Sequence, residues 1–134
     1  MVKPRITISS TDHEVLTKIA NGLMDTRPVL AEALLGELER ARVVRANAVP
    51  ERSVQMGSVV EYTTADGKAR RVQLVYPAEA DIAAGRISVL TPVGTALLGL
   101  SVGQSIDWVG NDGKQHVLNV IAVEAGFSPI PGGK

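Results

Sequence analysis

Thr91-Pro92, followed by Val93-Gly94-Thr95-Ala96-Leu97-Leu98 and then Gly99, constrains the fold of this chain more than any other run. Thr91 can cap a helix through its hydroxyl, Pro92 suits the first helical position, where no N–H partner is needed, and Gly99 supplies a left-handed exit. The flanking Ile87-Ser88-Val89 and Ser105-Ile106 read as strands. One short apolar helix is thereby pinned between two strands, and a packed domain can be assembled around it. The corner at Thr91-Pro92 is exposed in this reading and offers another protein a place to dock. Gly94 and Gly99 have the glycine spacing of a phosphate loop, but Leu100 stands where the phosphate-holding lysine would be. Gly94 and Ala96 are therefore read as small residues that allow close packing.

The 134 residues, 45% of them hydrophobic, suit one compact unit or a small domain with an appendage. Lys plus Arg and Asp plus Glu each number 14, so no global charge favours a grip on nucleic acid. Cysteine is absent, which excludes disulfides, thiolate metal sites and cysteine nucleophiles. Every apolar run is too short to span a bilayer, and Met1-Val2-Lys3-Pro4-Arg5 lacks the apolar core of a signal peptide. These features predict a soluble, cytoplasmic protein with no membrane partner.

Arg5-Ile6-Thr7-Ile8-Ser9-Ser10 alternates and predicts a short strand or an extended lead-in. Thr11 with Glu14 forms a capping-box pattern for a first helix, whose apolar stripe is Val15, Leu16, Ile19, Ala20 and Leu23. After the connection Met24-Asp25-Thr26-Arg27, Pro28 opens a second helix with Leu30, Leu34, Leu38 and Ala41 on its apolar face. Glu32, Glu37, Glu39, Arg40 and Arg42 are assigned to its solvent side, with Glu37 spaced to pair only loosely with Arg40 or Arg42. Two such helices predict a short antiparallel hairpin, each arm on the order of 20 Å long at about 1.5 Å per residue. Residues 46–55, with Pro50, read as a linker. Residues 58–64 and 70–76 flank Asp66-Gly67 and predict a β-hairpin. Residues 78–85 predict a short helix or turn closed by Gly85. Residues 105–109 and 115–123 predict strands around Asn111-Asp112-Gly113, and the Pro/Gly stretch from Phe127 predicts a fraying tail.

Chemistry-bearing constellations are sparse. His13 and His116 fall in unrelated elements with no metal-ligand spacing, so no metal site is expected. Ser9, Ser10 and Ser88 lack a nearby base and a Gly-x-Ser-x-Gly elbow, so nucleophilic catalysis has no support. The helix carboxylates Asp12, Glu14, Glu32, Glu37 and Glu39 read as solvated faces. Asp25 differs, because it stands at the hairpin tip, where a side chain projects furthest from the body. A lone carboxylate cannot hold Mg²⁺ without other oxygens.

Several blocks carry a family resemblance. Glu79-Ala80-Asp81-Ile82-Ala83-Ala84-Gly85-Arg86-Ile87-Ser88, Thr91-Pro92-Val93, Ala96-Leu97-Leu98-Gly99 and Val102-Gly103 resemble the carboxy-terminal domain of the bacterial Gre transcript-cleavage factors. Val75-Tyr76-Pro77, Ala31-Glu32-Ala33-Leu34, Leu38-Glu39-Arg40-Ala41 and the shortness of the hairpin resemble, more narrowly, the regulator of nucleoside diphosphate kinase family. That second resemblance spans nearly the whole chain. It implies an α+β protein in which a short antiparallel helical hairpin precedes an FKBP-like antiparallel β-sheet domain with a short helix. The implied divisions are an amino-terminal segment and hairpin over residues 1–48, the FKBP-like domain over 49–125 and a tail over 126–134.

The resemblance also implies a partner, RNA polymerase, met at the rim of its secondary channel. Gre factors dock there on a coiled coil of the largest polymerase subunit, through the loop and helix start that correspond to Leu90, Thr91, Pro92 and Val93. Their long hairpin carries two tip acids that help hold a catalytic metal ion. This chain has Leu90 where Gre factors often carry Asp or Asn, Thr95 in place of a common arginine, and only Asp25 at the tip of a much shorter hairpin. The expectation is a non-enzymatic regulator that competes with Gre factors without stimulating transcript cleavage, with no cofactor and no metal of its own. Any nucleic-acid contact is indirect, and any effect on nucleoside diphosphate kinase is indirect as well. Two other readings have thinner support. Peptidyl-prolyl isomerase activity follows from fold analogy alone, and Phe127, Trp108, Tyr62 and Tyr76 are scattered rather than clustered. Direct DNA binding has only the local cluster Arg40, Arg42 and Arg45.

Overall fold

The computed structural model describes residues 6–50, 52–109 and 113–124. A short strand, β1 (Thr7–Ser9), leads directly into helix α1 (Ser10–Gly22). The helix is capped by Ser9, whose Oγ accepts the Asp12 N–H at 3.1 Å, and not by Thr11 as the capping-box pattern suggested. Ser9 wins because it ends a strand in an extended conformation, and its own N–H is held by Gln55 Oε1 at 3.2 Å. Leu16 and Ala20 are buried along the predicted stripe. Helix α2 (Pro28–Arg40) begins at proline, as expected, and buries Ala31, Leu34 and Leu38 against α1.

Glu37 departs from its assignment to the solvent side. It is 5% exposed and ion-paired to Arg40 at 2.6 Å. Its position three residues after Leu34 and one before Leu38 puts it inside the buried arc of the helix rather than opposite it. The chain then forms β2 (Arg42–Val44), which pairs in parallel with β1 through Ile8 and Val43. This strand departs from the assignment of Arg42 to the solvent side of the second helix, because the chain turns extended at Ala41 and the helix ends at Arg40.

The main sheet holds β3 (Val59–Thr64), β4 (Ala69–Val75), β5 (Arg86–Ser88), β6 (Ser105–Val109) and β7 (Gln115–Glu124), in the order β5-β4-β3-β7-β6. All pairings are antiparallel except β4 with β5. The α+β architecture of hairpin followed by antiparallel sheet is therefore observed. The Asp66-Gly67 turn forms as predicted, with Gly67 at φ +82° and Asp66 Oδ1 accepting the Lys68 N–H at 3.0 Å. The expected turn at Asn111-Asp112 and the tail from Phe127 lie outside the described residues.

Helix α3 (Pro92–Leu97) packs between β6 and α2. Leu16, Leu34 and Leu38 of the hairpin share one apolar cluster with Leu74, Leu97, Leu98, Leu100 and Leu118. The stretch expected to be a linker is part of this assembly. Val54 is fully buried, donates its N–H to the Leu100 carbonyl at 2.7 Å and accepts the Gly99 N–H at 2.8 Å. Its apolar side chain and its paired backbone both exclude a free connection. Among the described residues, no helix is long and apolar enough to cross a membrane.

Candidate docking site

The corner at residues 90–93 is built from the end of β5. Thr91 takes an extended conformation and accepts the Gly94 N–H on its Oγ1 at 3.0 Å, which starts α3 with Pro92 in its first turn. The same hydroxyl donates to the Ser88 carbonyl at 2.8 Å, and the Thr91 N–H donates to that carbonyl at 3.1 Å. Leu90 N–H donates to Ser88 Oγ at 3.0 Å, and Thr95 Oγ1 donates to the Val89 carbonyl at 2.7 Å. Ser88 and Thr95 thus act as braces. Thr91 is exposed, while Leu90, Pro92 and Val93 are half-buried, with Leu90 and Val93 resting on the core.

Close packing holds this corner in place. A Cβ on Gly94 would lie 2.2 Å from the Ser88 carbonyl oxygen, so α3 approaches the end of β5 more closely than any other residue allows. Gly99 leaves the helix at φ +80°, and a Cβ there would lie 2.6 Å from Ile6 Cβ. The Gly94 reading as a packing position is borne out by this geometry.

β5 is an edge strand, yet three groups of its outward backbone are already paired. Arg86 exchanges two hydrogen bonds with Asp81, each 2.9 Å, and the Ser88 carbonyl is taken by Thr91. Strand addition at this edge is blocked there, which leaves side chains to do any recognition.

The hairpin is fastened to the sheet domain at its base. Asp12 in the first turn of α1 accepts from the Tyr76 hydroxyl at 3.2 Å and from the Met56 N–H at 3.4 Å. Burial pushes the Asp12 carboxyl above the usual carboxylate range, against the pull of these hydrogen bonds. Burial also raises the Tyr76 phenol well above its ordinary value, so it remains a donor at physiological pH. Gln55 supplies a second tie. Its Nε2 donates to the Thr7 carbonyl at 2.8 Å while its Oε1 accepts from Ser9, so one side-chain amide pairs with β1 as a neighbouring strand would. Sequence reasoning missed Asp12, Tyr76 and Gln55, whose partners lie far away along the chain.

Asp25 is exposed in the turn between α1 and α2, at the end of the hairpin away from this base, and is not brought together with residues 90–93. The only charged companion within that turn is Arg27. Among the described residues no cluster of three or more His, Asp or Glu side chains could hold a metal ion. His13 Nε2 lies 3.1 Å from the Leu38 carbonyl, tying α1 to α2, and His116 stacks on Trp108 with ring centres 4.8 Å apart. Tyr62 and Tyr76 are buried in the core, so they do not line an open proline pocket, and Phe127 lies outside the described residues.

Residues 49–125 match the family described as transcription elongation factor GreA/GreB, C-terminal, and residues 4–44 match the Rnk N-terminus. The regulator of nucleoside diphosphate kinase of Escherichia coli K12 is 36% identical over 125 residues, which cover 92% of each chain. Transcription elongation factor GreA of Sphingopyxis alaskensis is 35% identical over 91 residues, 65% of this chain and 58% of that protein. A solved structure described as prokaryotic transcription elongation factor GreA/GreB from Nitrosomonas europaea aligns with a TM-score of 0.72 at 36% identity, covering 91% of this chain and 99% of that one.

Proposed function

The chain belongs to the regulator of nucleoside diphosphate kinase family, with a carboxy-terminal domain of the GreA/GreB type, and from that premise we propose that it binds RNA polymerase at the secondary-channel rim. The braced corner of Leu90, Thr91, Pro92 and Val93 is the contact to the coiled coil of the largest polymerase subunit. The observation that carries this reading is the pairing of that rigid, side-chain-presenting corner with a hairpin of two 13-residue helices, about 20 Å long. Such a hairpin obstructs the channel entrance without reaching far inside it.

The tip offers Asp25 as its single carboxylate, two residues from the cation of Arg27. A polymerase-bound Mg²⁺ would gain at most one ligand from it, which is a poor basis for recruiting a second metal ion. The protein therefore competes with Gre factors for the site and does not stimulate transcript cleavage. Any influence on nucleoside diphosphate kinase acts through transcription. The test is competition on stalled elongation complexes, with transcript cleavage as the readout. Addition of this chain is expected to inhibit Gre-stimulated cleavage while producing none itself. Cleavage unaffected by saturating amounts of the chain, or intrinsic cleavage above background, overturns the proposal.

A further inference from the structure

Residues 77–84 form a loop that is exposed almost throughout yet tightly hydrogen-bonded. Pro77, Ala78, Ala80, Asp81, Ile82, Ala83 and Ala84 are all exposed, and Glu79 is half-buried. Two 3₁₀ turns, Pro77–Glu79 and Ile82–Ala84, carry the path. Within them Ala80 N–H donates to the Pro77 carbonyl, Ala84 N–H to the Asp81 carbonyl and Gly85 N–H to the Ile82 carbonyl, at 3.2, 3.0 and 3.0 Å. Gly85 closes the loop at φ +77°, and the Asp81–Arg86 bridge pins it to β5. Ile82 is 87% exposed, more than any other large hydrophobic side chain among the described residues.

The Ile82 backbone is held by the Gly85 N–H on its own carbonyl and by the neighbouring Asp81–Arg86 bridge, so the side chain loses less conformational freedom when covered than one in a free loop. The loop precedes β5 and the corner of Thr91 and Pro92 follows it, so both lie along the same edge of the sheet. The pairing of Arg86 with Asp81 and of the Ser88 carbonyl with Thr91 obstructs strand-to-strand pairing of that edge with a second copy. Eight loop residues also fall short of the roughly 800 Å² per partner that a stable dimer buries. The loop suits a supplementary contact within a larger interface. We propose that Ile82 anchors an apolar contact to the same RNA polymerase surface that meets the Thr91-Pro92 corner; this rests on the function proposed above.

The experiment titrates core RNA polymerase with the fluorescently labelled full chain, as wild type, Ile82→Ser, Ile82→Glu and the double variant Leu90→Asp with Pro92→Ala. Thermal unfolding and sedimentation are followed in parallel. Burial of one isoleucine predicts binding weakened about tenfold by Ile82→Ser, and more by Ile82→Glu, with unfolding midpoints unchanged. Both Ile82 variants binding like wild type while the corner variant weakens would remove the anchor and leave the polymerase reading standing. Absence of binding by the wild type would remove both. Self-association of the wild type that Ile82→Ser dissolves would overturn the anchor by assigning the loop to a second copy.

Discussion

The Tyr76 hydroxyl donates a hydrogen bond to the Asp12 carboxylate at 3.2 Å, joining the residue after β4 to the first turn of α1. The two are 64 residues apart in the chain, and the Met56 N–H shares the same carboxylate. The contact fixes how the hairpin leaves the sheet domain. Under the function proposed above, the joint keeps the helix pair in one direction from its base.

Tyr76→Phe keeps the buried ring and removes only this donor. Stability is expected to fall by about 1 kcal/mol, the net worth of one hydrogen bond, or somewhat more because the acceptor is a carboxylate. Urea unfolding measures the loss, and hydrogen exchange should quicken first in the opening turn of α1. A uniform acceleration across the sheet with no preference for α1 would argue against a joint.

The same carboxylate predicts a pH effect. Burial holds Asp12 above its ordinary value, outweighing the hydrogen bonds from Met56, Tyr76 and Ser9 that pull it down. The folded chain therefore keeps this proton more tightly than the unfolded chain. Stability from the group is complete below the ordinary aspartate value and is lost as pH rises through the raised one. Asp12→Asn removes the titration, so the wild type should gain stability relative to the variant as pH falls from about 7 toward about 4. Urea midpoints for the two proteins across that range check the sign, and a gap that is constant or widens in the variant's favour on acidification contradicts it.

What could be read in the sequence was local. Thr91, Pro92, Gly94 and Gly99 act on groups within a few residues of themselves, so cap, first turn, close packing and exit followed from residue chemistry. The Asp66-Gly67 hairpin and the two helices were legible for the same reason. Ser9 displaced Thr11 as the cap because Gln55, 46 residues distant, holds the Ser9 N–H, and nothing in a capping pattern encodes that partner. Residues 46–55 read as a linker because Pro50 with the adjacent Glu51 and Arg52 interrupts the stretch, while its one decisive core residue, Val54, carries no periodic signal. Of the candidate site, the corner was legible as a corner; the closure of the β5 edge by Asp81 and the exposure of Ile82 required the fold.

Two glycines should respond oppositely to alanine. At Gly94 the added methyl meets the backbone at the end of β5, the Ser88 carbonyl oxygen at 2.2 Å and Val89 Cα at 2.9 Å. Backbone cannot rotate away, so Gly94→Ala is expected to cost about 3 kcal/mol and to disturb the Ser88 carbonyl that holds Thr91. Gly36 lies inside α2 with open space around it, so Gly36→Ala should stabilise by roughly 0.5–1 kcal/mol through helix propensity. Thermal or urea unfolding of the two variants distinguishes them directly.

Gln55 replaces a missing strand beside β1, and its truncation exposes that role. Gln55→Ala leaves the Thr7 carbonyl and the Ser9 N–H without their side-chain partner. The expected loss is about 1–3 kcal/mol, the range for stranding partly buried backbone groups. Because β1 precedes the α1 cap, exchange of the α1 amides should rise in step. A loss below about 0.5 kcal/mol would mean that water replaces the amide readily and that the tie is weaker than its geometry implies.

The Thr91 hydroxyl separates a structural from a recognition role at the proposed polymerase contact. It donates to the Ser88 carbonyl and accepts from the Gly94 N–H, so both bonds serve the corner itself although the side chain is exposed. Thr91→Ser keeps the hydroxyl and removes only the methyl, whereas Thr91→Ala removes the cap, at a cost of about 1 kcal/mol. If the corner is recognised through its shape, Thr91→Ser should bind core polymerase within about twofold of wild type, while Thr91→Ala should weaken binding by about as much as it destabilises α3, roughly fivefold. Equal weakening by both variants would instead place the Thr91 methyl in direct contact with the partner and make the hydroxyl's internal bonds irrelevant to binding.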